Sequence, residues 1–307
     1  MTFSLTVLGS NSALPAKDRF ATAHVLNVRE RYFLIDCGEG VQMQLKRFGN
    51  VKYSKLDNLF ISHLHGDHVF GLFGLLSSLA LMGRTADFNI YAHKNMGEIL
   101  DSHLKYFGEN MSYKIVLHAI DPDAPKIIYE DYCMTVKTIP LKHRIPACGF
   151  LFKEKTAPLN IYKEAIKKYG LSVADITSIK SGNAHTTAAG EVIPNEKLTY
   201  RPYKPRSYAF CSDTMYCEEI AEHVAGVNLL YHEATFLENL KQMAHRTGHS
   251  TSVDAAKIAK LAQAKRLLLG HFSSRYSSNM LYLFKEEAKT VFPNTEIAID
   301  GQNYDIF

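Results

Sequence analysis

Several features that define other protein classes are missing from this 307-residue sequence. It has no run of about 18 apolar residues, so we expect no membrane-spanning helix. The opening residues MTFSLTVLGSNSALP lack a basic segment ahead of an apolar core, so we expect no signal peptide. The five cysteines are scattered and form no CxxC pair, which argues against a disulfide framework. Together these absences predict a protein of the reducing cytoplasm.

The basic charge of the chain is concentrated in one segment. Residues 153–206 contain eight Lys and two Arg against five Asp or Glu, a net charge of +5, whereas the whole chain carries +4. A charge-biased segment is usually a solvated surface insert, but Lys and Arg also bind polyanions, because phosphate contacts release condensed counterions. Within the segment, IYKEAIKKYG predicts a helix, and the remainder predicts turns that end in an extended YRPYKPR linker.

Strand and helix patterns alternate before and after this segment. In the first part, VFGLFGLLSSLALMG predicts a helix that stops at Gly83. In the second part, Thr251 followed three residues later by Asp254 predicts a capping box at the start of a helix. The final stretch EIAIDGQNYDIF predicts a hairpin with Asp300 and Gly301 in its turn. The chain is therefore expected to fold as an α/β protein.

Polar residues follow five of the predicted strands at the point where each strand ends. They lie in the stretches ISH (61–63), LKH (141–143), CSD (211–213), YHE (231–233) and LGH (269–271). Loops beyond the strand ends of α/β folds are where binding and catalytic sites are built. One extended site that collects all five stretches is the simplest interpretation.

The densest group of such residues lies in FISHLHGDHVFGLFGLL, residues 60–76. It places His63, His65, Asp67 and His68 within six positions, ahead of an apolar helix that would hold the loop rigidly. A lone histidine is more often a hydrogen-bonded structural residue than a ligand, but four such residues together favour a metal site. Neutral imidazole and carboxylate suit zinc, and mixed sets also suit Mn or Fe.

A second metal would explain the remaining strand-end residues. Two metals about 3.5–4 Å apart hold a bridging hydroxide and clamp the attacking and leaving oxygens of a displacement. One loop cannot supply all the ligands that two metals need. His143, Asp213 and His271, each at the end of a predicted strand, are the natural candidates to complete the set.

The motifs together resemble a known family. HLHGDH resembles the HxHxDH motif of the metallo-β-lactamase fold, and the ordered set HLHGDH, PLKHRIPACGF, FCSDT, YHEATF, HRTGHST and LGHFSSRY resembles ribonuclease Z along nearly the whole chain. The resemblance implies a four-layer αβ/βα sandwich, formed as a single domain over residues 1–307, with 153–206 inserted as a basic substrate-binding arm. It also implies a zinc phosphodiesterase, an endoribonuclease that removes 3′ trailers from precursor tRNA by attack of a metal-bridging hydroxide.

The resemblance further implies a role for each motif residue. One zinc ion would be held by His63, His65 and His143. The other would be held by Asp67, His68 and His271, and Asp213 would bridge the two. Asp67 would also take the proton from the attacking water. Glu233 would orient His249, which would protonate the departing 3′ oxygen.

Contacts to substrate and partners follow from the same resemblance. Lys17 and Arg19 match a basic loop that the family associates with sensing the mature 3′ end. Ser273, Ser274 and Arg275 are candidates for phosphate contact, given the geometry of the guanidinium group. The expected cofactors are two zinc ions per subunit, with Mn²⁺ or Fe²⁺ as alternatives. The expected assembly is a homodimer in which the arm of one subunit serves the active site of the other.

Two other functions remain open at this point. A thioester or small phosphodiester hydrolase would use the same metal loop, but a small substrate needs no distant basic segment, and GHFSSRY also speaks against it. An RNA-binding module that has lost catalysis would keep the basic segment. It is disfavoured because every expected ligand position is filled, whereas a decayed site normally loses one.

Overall fold

The computed structural model describes residues 2–48, 51–109 and 111–307. Two compact units are distinguished within it. The first, called here the sandwich unit, comprises the residues up to Tyr129, Thr135–Phe152 and Arg206–Phe307. The second, called the inserted unit, comprises Glu130–Met134 and Lys153–Pro205. Strands and helices are labelled below in chain order, from β1 to β18 and from α1 to α11.

The sandwich unit is built on two mixed sheets of seven strands each among the described residues. The first sheet contains β1 (Phe3–Gly9), β2 (Ala23–Val28), β3 (Arg31–Ile35), β4 (Leu56–Phe60), β5 (Phe88–His93), β6 (Ile115–Ile120) and β18 (Asn303–Asp305). The second contains β7 (Ile127–Glu130), β8 (Met134–Pro140), β9 (Cys148–Glu154), β14 (Ser207–Cys211), β15 (Leu229–Glu233), β16 (Leu267–Gly270) and β17 (Thr295–Ile297).

Each sheet has a parallel half. Strands β3, β4, β5 and β6 pair in parallel in the first sheet, and β14, β15, β16 and β17 do so in the second. The sheets meet through aromatic side chains that alternate inward along their strands. The ring of Phe60 on β4, for example, lies 5.4 Å from that of Phe152 on β9 and 5.5 Å from that of Phe150.

Helices cover the outer face of each sheet. The helices that accompany the first sheet are α1 (Val41–Phe48), α2 (Gly66–Val69), α3 (Leu72–Leu81) and α4 (Met96–Phe107). Those that accompany the second are α8 (Glu219–His223), α9 (Lys241–Thr247), α10 (Ser252–Leu261) and α11 (Tyr282–Lys289). The predicted four-layer αβ/βα sandwich is confirmed. Nowhere in the described ranges does a helix reach the length and apolar character needed to cross a membrane.

Local signals placed two helix boundaries correctly. Gly83, with a φ of +74°, follows the end of α3, although the predicted single helix is divided into α2 and α3 by a turn at Gly71. At the start of α10, the Thr251 hydroxyl accepts from the backbone N–H of Asp254, and the Asp254 side chain accepts from the N–H of Thr251. This confirms the predicted capping box.

The predicted C-terminal hairpin is wrong. Gly301 does form a turn with a φ of +86°, but the strands on either side of it join different sheets. β17 pairs in parallel with β16, while β18 pairs antiparallel with β1. The turn is held by β1 itself, because the N–H of Gly301 donates to the carbonyl of Val7 at 2.7 Å. The Asp-Gly pair therefore marks a crossing between the two sheets.

The inserted unit has its own small framework. It contains α5 (Lys163–Tyr169), α6 (Val173–Lys180) and α7 (Asn195–Leu198), with the strand pairs β10 (Asn160–Ile161) with β13 (Thr199–Tyr200) and β11 (His185–Thr186) with β12 (Val192–Ile193). Its apolar core consists of Ala165, Leu171, Ile179, Ile193 and Leu198. The sequence predicted α5 but assigned turns where α6 lies. The α6 helix begins with a full capping box between Ser172 and Asp175.

Candidate metal centre

The strand-end residues of the sandwich unit come together in one place. His63 and its neighbours follow β4, His143 follows β8, and Asp213 follows β14. Glu233 is the last residue of β15, and His271 follows β16 directly. The single extended site inferred from the five strand-end stretches therefore exists as a cluster of side chains.

The first group of potential ligands consists of three imidazoles. Nε2 of His63 lies 3.0 Å from Nδ1 of His65, and Nε2 of His143 lies 3.2 Å from the same atom. Oδ2 of Asp213 lies 3.5 Å from His63 Nε2 and 3.7 Å from His143 Nε2. All four ligand atoms lie within 4.8 Å of one another, so a single ion could contact them all.

The second group shares Asp213 with the first. Nε2 of His68 lies 3.4 Å from Oδ2 of Asp67 and 3.2 Å from Oδ1 of Asp213. Nε2 of His271 lies 3.4 Å and 3.0 Å from the same two oxygens. Asp213 thus presents one carboxylate oxygen to each group. This is the arrangement that a residue bridging two ions requires.

Hydrogen bonds fix the direction in which two of the imidazoles face. Nδ1 of His68 donates to Oδ2 of Asp36 at 2.6 Å, and Nδ1 of His143 donates to the carbonyl of Gly248 at 2.8 Å. Both acceptors lack a hydrogen to give, so Nδ1 carries a proton and Nε2 is the atom that faces the cluster. Partners of this kind orient the ring and raise its basicity as a ligand.

Two other imidazoles are oriented through hydroxyl groups. The hydroxyl of Ser62 donates to Asp36 at 2.9 Å, so it accepts from Nδ1 of His63 at 3.0 Å. The hydroxyl of Thr235 donates to Oε2 of Glu233 at 2.8 Å and accepts from Nδ1 of His271 at 3.0 Å. Two fully buried carboxylates therefore set the tautomers of three imidazoles around the site.

Asp36 is a site residue that the sequence reasoning missed. It is fully buried, follows β3, and accepts hydrogen bonds from the backbone N–H and hydroxyl of Ser62 as well as from His68. Its φ of +55° lies in the left-handed region, as do those of Asp213 (+55°) and His271 (+59°). Non-glycine residues in this region cluster at functional sites. The available signal was its place at the end of a predicted strand, in LIDCGEG.

The electrostatics of the cluster suit a cation. Burial lowers the pKa of His68, but the carboxylates of Asp67, Asp213 and Asp36 outweigh this effect and raise it well above its usual value. Burial would raise the pKa of Asp213, but the surrounding imidazoles hold it well below its usual range. Nε2 of His68 is buried and makes no hydrogen bond to any described residue. Such an atom, facing two carboxylates, fits a metal ligand, and the cluster is a site for a divalent metal.

A hydrogen-bonded pair of a half-buried imidazole and a buried carboxylate lies beside the potential metal ligands. Nδ1 of His249 donates to Oε1 of Glu233 at 2.8 Å and lies 4.0 Å from Oδ2 of Asp213. Burial lowers the pKa of His249, but the charge and hydrogen bond of Glu233 outweigh it and raise the pKa to about 9. The backbone N–H groups of Thr214 and Thr235 also donate to Glu233, which keeps the carboxylate in place. The charge and hydrogen bond of Glu233 therefore favour the protonated form of His249.

Two cavities adjoin the cluster. The loop cavity, of about 470 Å³, is lined by the loop that carries Lys17 and Arg19, and by Asp67. The acid cavity, of about 500 Å³, is lined by His249, His271 and again Asp67. Both volumes fall within the range of about 300–1,000 Å³ that is usual for ligand sites.

The candidate substrate-binding residues differ in their surroundings. Lys17 is exposed at the loop cavity. Arg19 is only 7% exposed, and its guanidinium donates to the carbonyl of Tyr276 at 2.8 Å and to Oδ1 of Asn11 at 3.1 Å. Arg19 thus ties its loop to the segment after β16. The acid cavity is lined by Ser273, Ser274 and Arg275, and also by Arg144, which the sequence reasoning did not single out.

Two family models match the chain. Residues 3–157 match the model described as Anti-Pycsar protein Apyc1. Residues 173–272 match the model described as Beta-lactamase superfamily domain. The second match covers the segment that contains Asp213, Glu233 and His271.

Relatives match over almost the full length. Ribonuclease Z of Phocaeicola vulgatus is 47% identical over 296 residues, which cover 96% of this chain and 95% of the relative. Ribonuclease Z of Bacteroides thetaiotaomicron is 48% identical over 297 residues, which cover 96% and 93%. The crystal structure of human tRNase Z, short form, matches with a TM-score of 0.72 at 26% identity over 99% of both chains. These likenesses confirm the resemblance seen in the motifs, and the chain belongs to the ribonuclease Z family of the metallo-β-lactamase fold.

Proposed function

We propose that the protein is a zinc-dependent endoribonuclease that removes 3′ trailers from precursor tRNA. The observation that carries the proposal is the shared carboxylate of Asp213 between two ligand groups, with the Glu233–His249 pair beside it. This arrangement supplies ligands for two ions and a separate proton donor, as hydrolysis of a phosphodiester requires. The relatives that match nearly the whole chain carry the name ribonuclease Z.

The residues would divide the work of holding the metals as follows. His63, His65 and His143 would hold one zinc ion, Asp67, His68 and His271 would hold the second, and Asp213 would contact both. Mixed imidazole and carboxylate ligands suit zinc, and also Mn²⁺ or Fe²⁺. Two such ions supply Lewis-acid charge that polarises the scissile phosphate. The ligand atoms need little rearrangement to receive them, because the tautomers are already set by buried partners.

Asp67 and His249 would handle the protons of the reaction. Burial would raise the pKa of Asp67, but His68 and His271 outweigh this effect and hold it below its usual value, so the carboxylate is ionised. A low pKa by itself makes a weak base. Asp67 would accept the proton of the attacking water because it lies among the metal ligands, where a bound zinc ion would lower the pKa of that water towards about 7. His249 would donate a proton to the departing 3′ oxygen. Glu233 would keep His249 protonated and aimed into the acid cavity.

The inserted unit would bind the tRNA away from the scissile bond. Residues 153–206 carry a net charge of +5, although the whole inserted unit, which adds Glu130 and Asp131 and excludes Arg206, carries +2. Lysines such as Lys163, Lys167 and Lys168 on α5 are exposed. Exposed cations on a small unit suit contact with a phosphate backbone. At the metal centre, Lys17, Ser273 and Arg275 would contact the RNA, and Arg19 would hold their loops in position.

We also propose a homodimer. Large apolar side chains are exposed on α3 and α4, where they border two adjoining grooves that share Phe107; they are Leu81, Ile99, Tyr106 and Phe107. Contiguous exposed apolar surface of this kind marks association sites. Leu81→Asp should shift the protein towards monomer in analytical ultracentrifugation. A wild-type protein that is wholly monomeric at micromolar concentration would contradict the proposal.

The five cysteines support a reducing, cytoplasmic location, because all are buried free thiols. This location is testable by separating soluble, membrane and secreted fractions of the producing cell and probing each for the protein. Recovery outside the soluble intracellular fraction would contradict it.

A cleavage assay tests the function directly. Precursor tRNA with a 3′ trailer would be incubated with the zinc-loaded protein, with and without chelator, beside a small phosphodiester and a glutathione thioester. Chelator-sensitive cutting just after the discriminator nucleotide is expected. Turnover of a small substrate alone would leave the metal site intact but would assign the protein to small-molecule hydrolysis.

A further inference from the structure

Phe70 is a large aromatic side chain left in solvent beside the metal centre. It is 68% exposed and lies two residues after His68, at the end of α2. Its ring covers Gly66, because a Cβ atom at Gly66 would meet the ring at 2.3 Å. The ring therefore rests on the backbone between His65 and Asp67, which restricts its movement. No step in the metal or proton chemistry explains why an exposed aromatic is placed here.

The position of Phe70 relative to the two cavities suggests its use. Phe70 and Asp67 line both the loop cavity and the acid cavity, so the ring stands at the boundary between them. Besides Phe70, the loop cavity is lined by Phe20 and Met43, and the exposed Lys17 also borders it. An aromatic surface next to a cation is the usual means of binding single-stranded nucleic acid without reading its sequence.

The proposed function determines which nucleotide would lie in each cavity. His249 lines the acid cavity and not the loop cavity. If His249 protonates the 3′ oxygen of the last retained nucleotide, that nucleotide lies in the acid cavity. The chain beyond the scissile phosphate then passes Asp67 and Phe70 towards the loop cavity.

We propose that Phe70 is a stacking platform for the base of the first trailer nucleotide, which occupies the loop cavity. This inference rests on the proposed function and adds a contact that determines how the trailer is positioned. Stacking on the ring would fix the nucleotide on the far side of the scissile bond while accepting any base, because each base has a π-face. Lys17 would lie near the backbone of the same nucleotide.

A double-mutant cycle between protein and RNA tests the assignment. Wild type and Phe70→Ala would be assayed on two precursor tRNAs that differ only in whether the first trailer nucleotide carries a base or is abasic. Phe70→Ala should lower kcat/KM on the normal RNA by about 5- to 160-fold, the range for loss of one stacked base. Removing the base should cost the wild type a similar factor and should cost Phe70→Ala little.

Further variants separate stacking from damage to the metal loop. Phe70→Tyr keeps the ring and should retain the base dependence, whereas Phe70→Leu keeps apolar volume and should lose most of it. Tyr282→Ala, which removes an exposed aromatic on α11 outside both cavities, should respond to the abasic site as the wild type does. Metal content of each variant would be measured alongside.

The outcomes distinguish this inference from the proposed function. If Phe70→Ala and Phe70→Leu each lost as much activity on the abasic RNA as on the normal RNA, the stacking role would be overturned while tRNA cleavage stayed in place. A third precursor that is abasic at the last retained nucleotide would be assayed with the same variants, and coupling of Phe70→Ala to that nucleotide instead would overturn the placement in the loop cavity. A wild-type protein that cuts neither precursor would overturn the proposed function, and the role of Phe70 with it.

Discussion

The metal centre and the inserted unit use charge in opposite ways. Beside the potential metal ligands, Asp36 and Glu233 are fully buried, and each accepts several hydrogen bonds from fixed donors. In the inserted unit every lysine except the half-buried Lys155 is exposed, and the ion pair between Lys155 and Glu130 has both partners partly in solvent. Buried carboxylates held by hydrogen bonds fix the geometry of the ligands around them, whereas exposed lysines attract a phosphate backbone without requiring one exact geometry. This difference is the one expected if the metal centre cleaves the RNA and the inserted unit binds it.

The two units also differ in the size of the apolar core that supports them. The helices and sheets of the sandwich unit bury two large apolar clusters, while the inserted unit buries the five side chains of its own small core. A small core leaves little stability in reserve. The metal loop belongs to the sandwich unit with its large apolar clusters. We therefore propose that the inserted unit can unfold locally while the sandwich unit remains folded.

Deletion of the inserted unit should give the largest effect. Replacing residues 155–203 with a short Gly-Ser linker should abolish cleavage of precursor tRNA, because the basic surface is lost. Hydrolysis of bis(p-nitrophenyl) phosphate should persist, because no metal ligand is removed. Both activities would be measured on the same preparation, together with its metal content. Loss of both activities with loss of metal would mean that the inserted unit is part of the fold that holds the centre.

His249→Ala should give the next largest effect. Removal of the proton donor should lower kcat for precursor tRNA by about 10²- to 10⁴-fold, the usual contribution of general acid catalysis. The nitrophenyl diester should be affected far less, because nitrophenolate leaves without being protonated. Glu233→Gln should lower kcat for precursor tRNA in the same range. It should also lose some metal, because Glu233 orients His271 through Thr235. Equal losses on both substrates in His249→Ala would contradict the assignment.

Asp36→Asn should act through the metal rather than through the proton donor. An asparagine must turn its NH2 group either towards the backbone N–H of Ser62 or towards the Ser62 hydroxyl and Nδ1 of His68, so the three hydrogen bonds cannot all be kept and metal affinity should fall by about 10- to 100-fold. Metal titration monitored by activity would show the shift, and excess metal should restore turnover. Asp300→Asn is a matched control, since Asp300 is a mostly buried carboxylate that accepts from Ser10 and the N–H of Phe20. Its metal affinity should remain that of the wild type.

The sequence predicted the potential metal ligands better than the residues that hold the site in position. HLHGDH and the strand-end residues could be read directly, because ligand types at close spacing carry chemical meaning by themselves. Asp36 could not, since a single aspartate after a strand gives no sign that Ser62 and His68 will both bond to it. The buried state of Arg19 was hidden for the same reason, because two of its partners, Ser273 and Tyr276, lie more than 250 residues away. Contacts between distant segments are not encoded in local patterns.

The same limit explains the errors in the fold. Asp300 and Gly301 have the composition of a hairpin turn, and the turn exists, but local composition cannot say which strands will pair. The α6 helix was missed because its sequence, VADITSIK, is rich in residues with weak helix propensity. Its capping box and the burial of Ile179 stabilise it instead.

Two matched capping boxes offer the finest test of the difference between the units. Thr251→Ala removes the cap of α10, whose helix packs on the second sheet, and should lower the global free energy of unfolding by about 0.5–2 kcal/mol. Ser172→Ala removes the equivalent cap of α6 and should raise amide exchange over residues 173–180 while leaving the main unfolding transition unchanged. Chemical denaturation and hydrogen exchange of both variants would measure this. If Ser172→Ala shifted the main transition as far as Thr251→Ala, the inserted unit would unfold together with the sandwich unit, and its proposed independence would be lost.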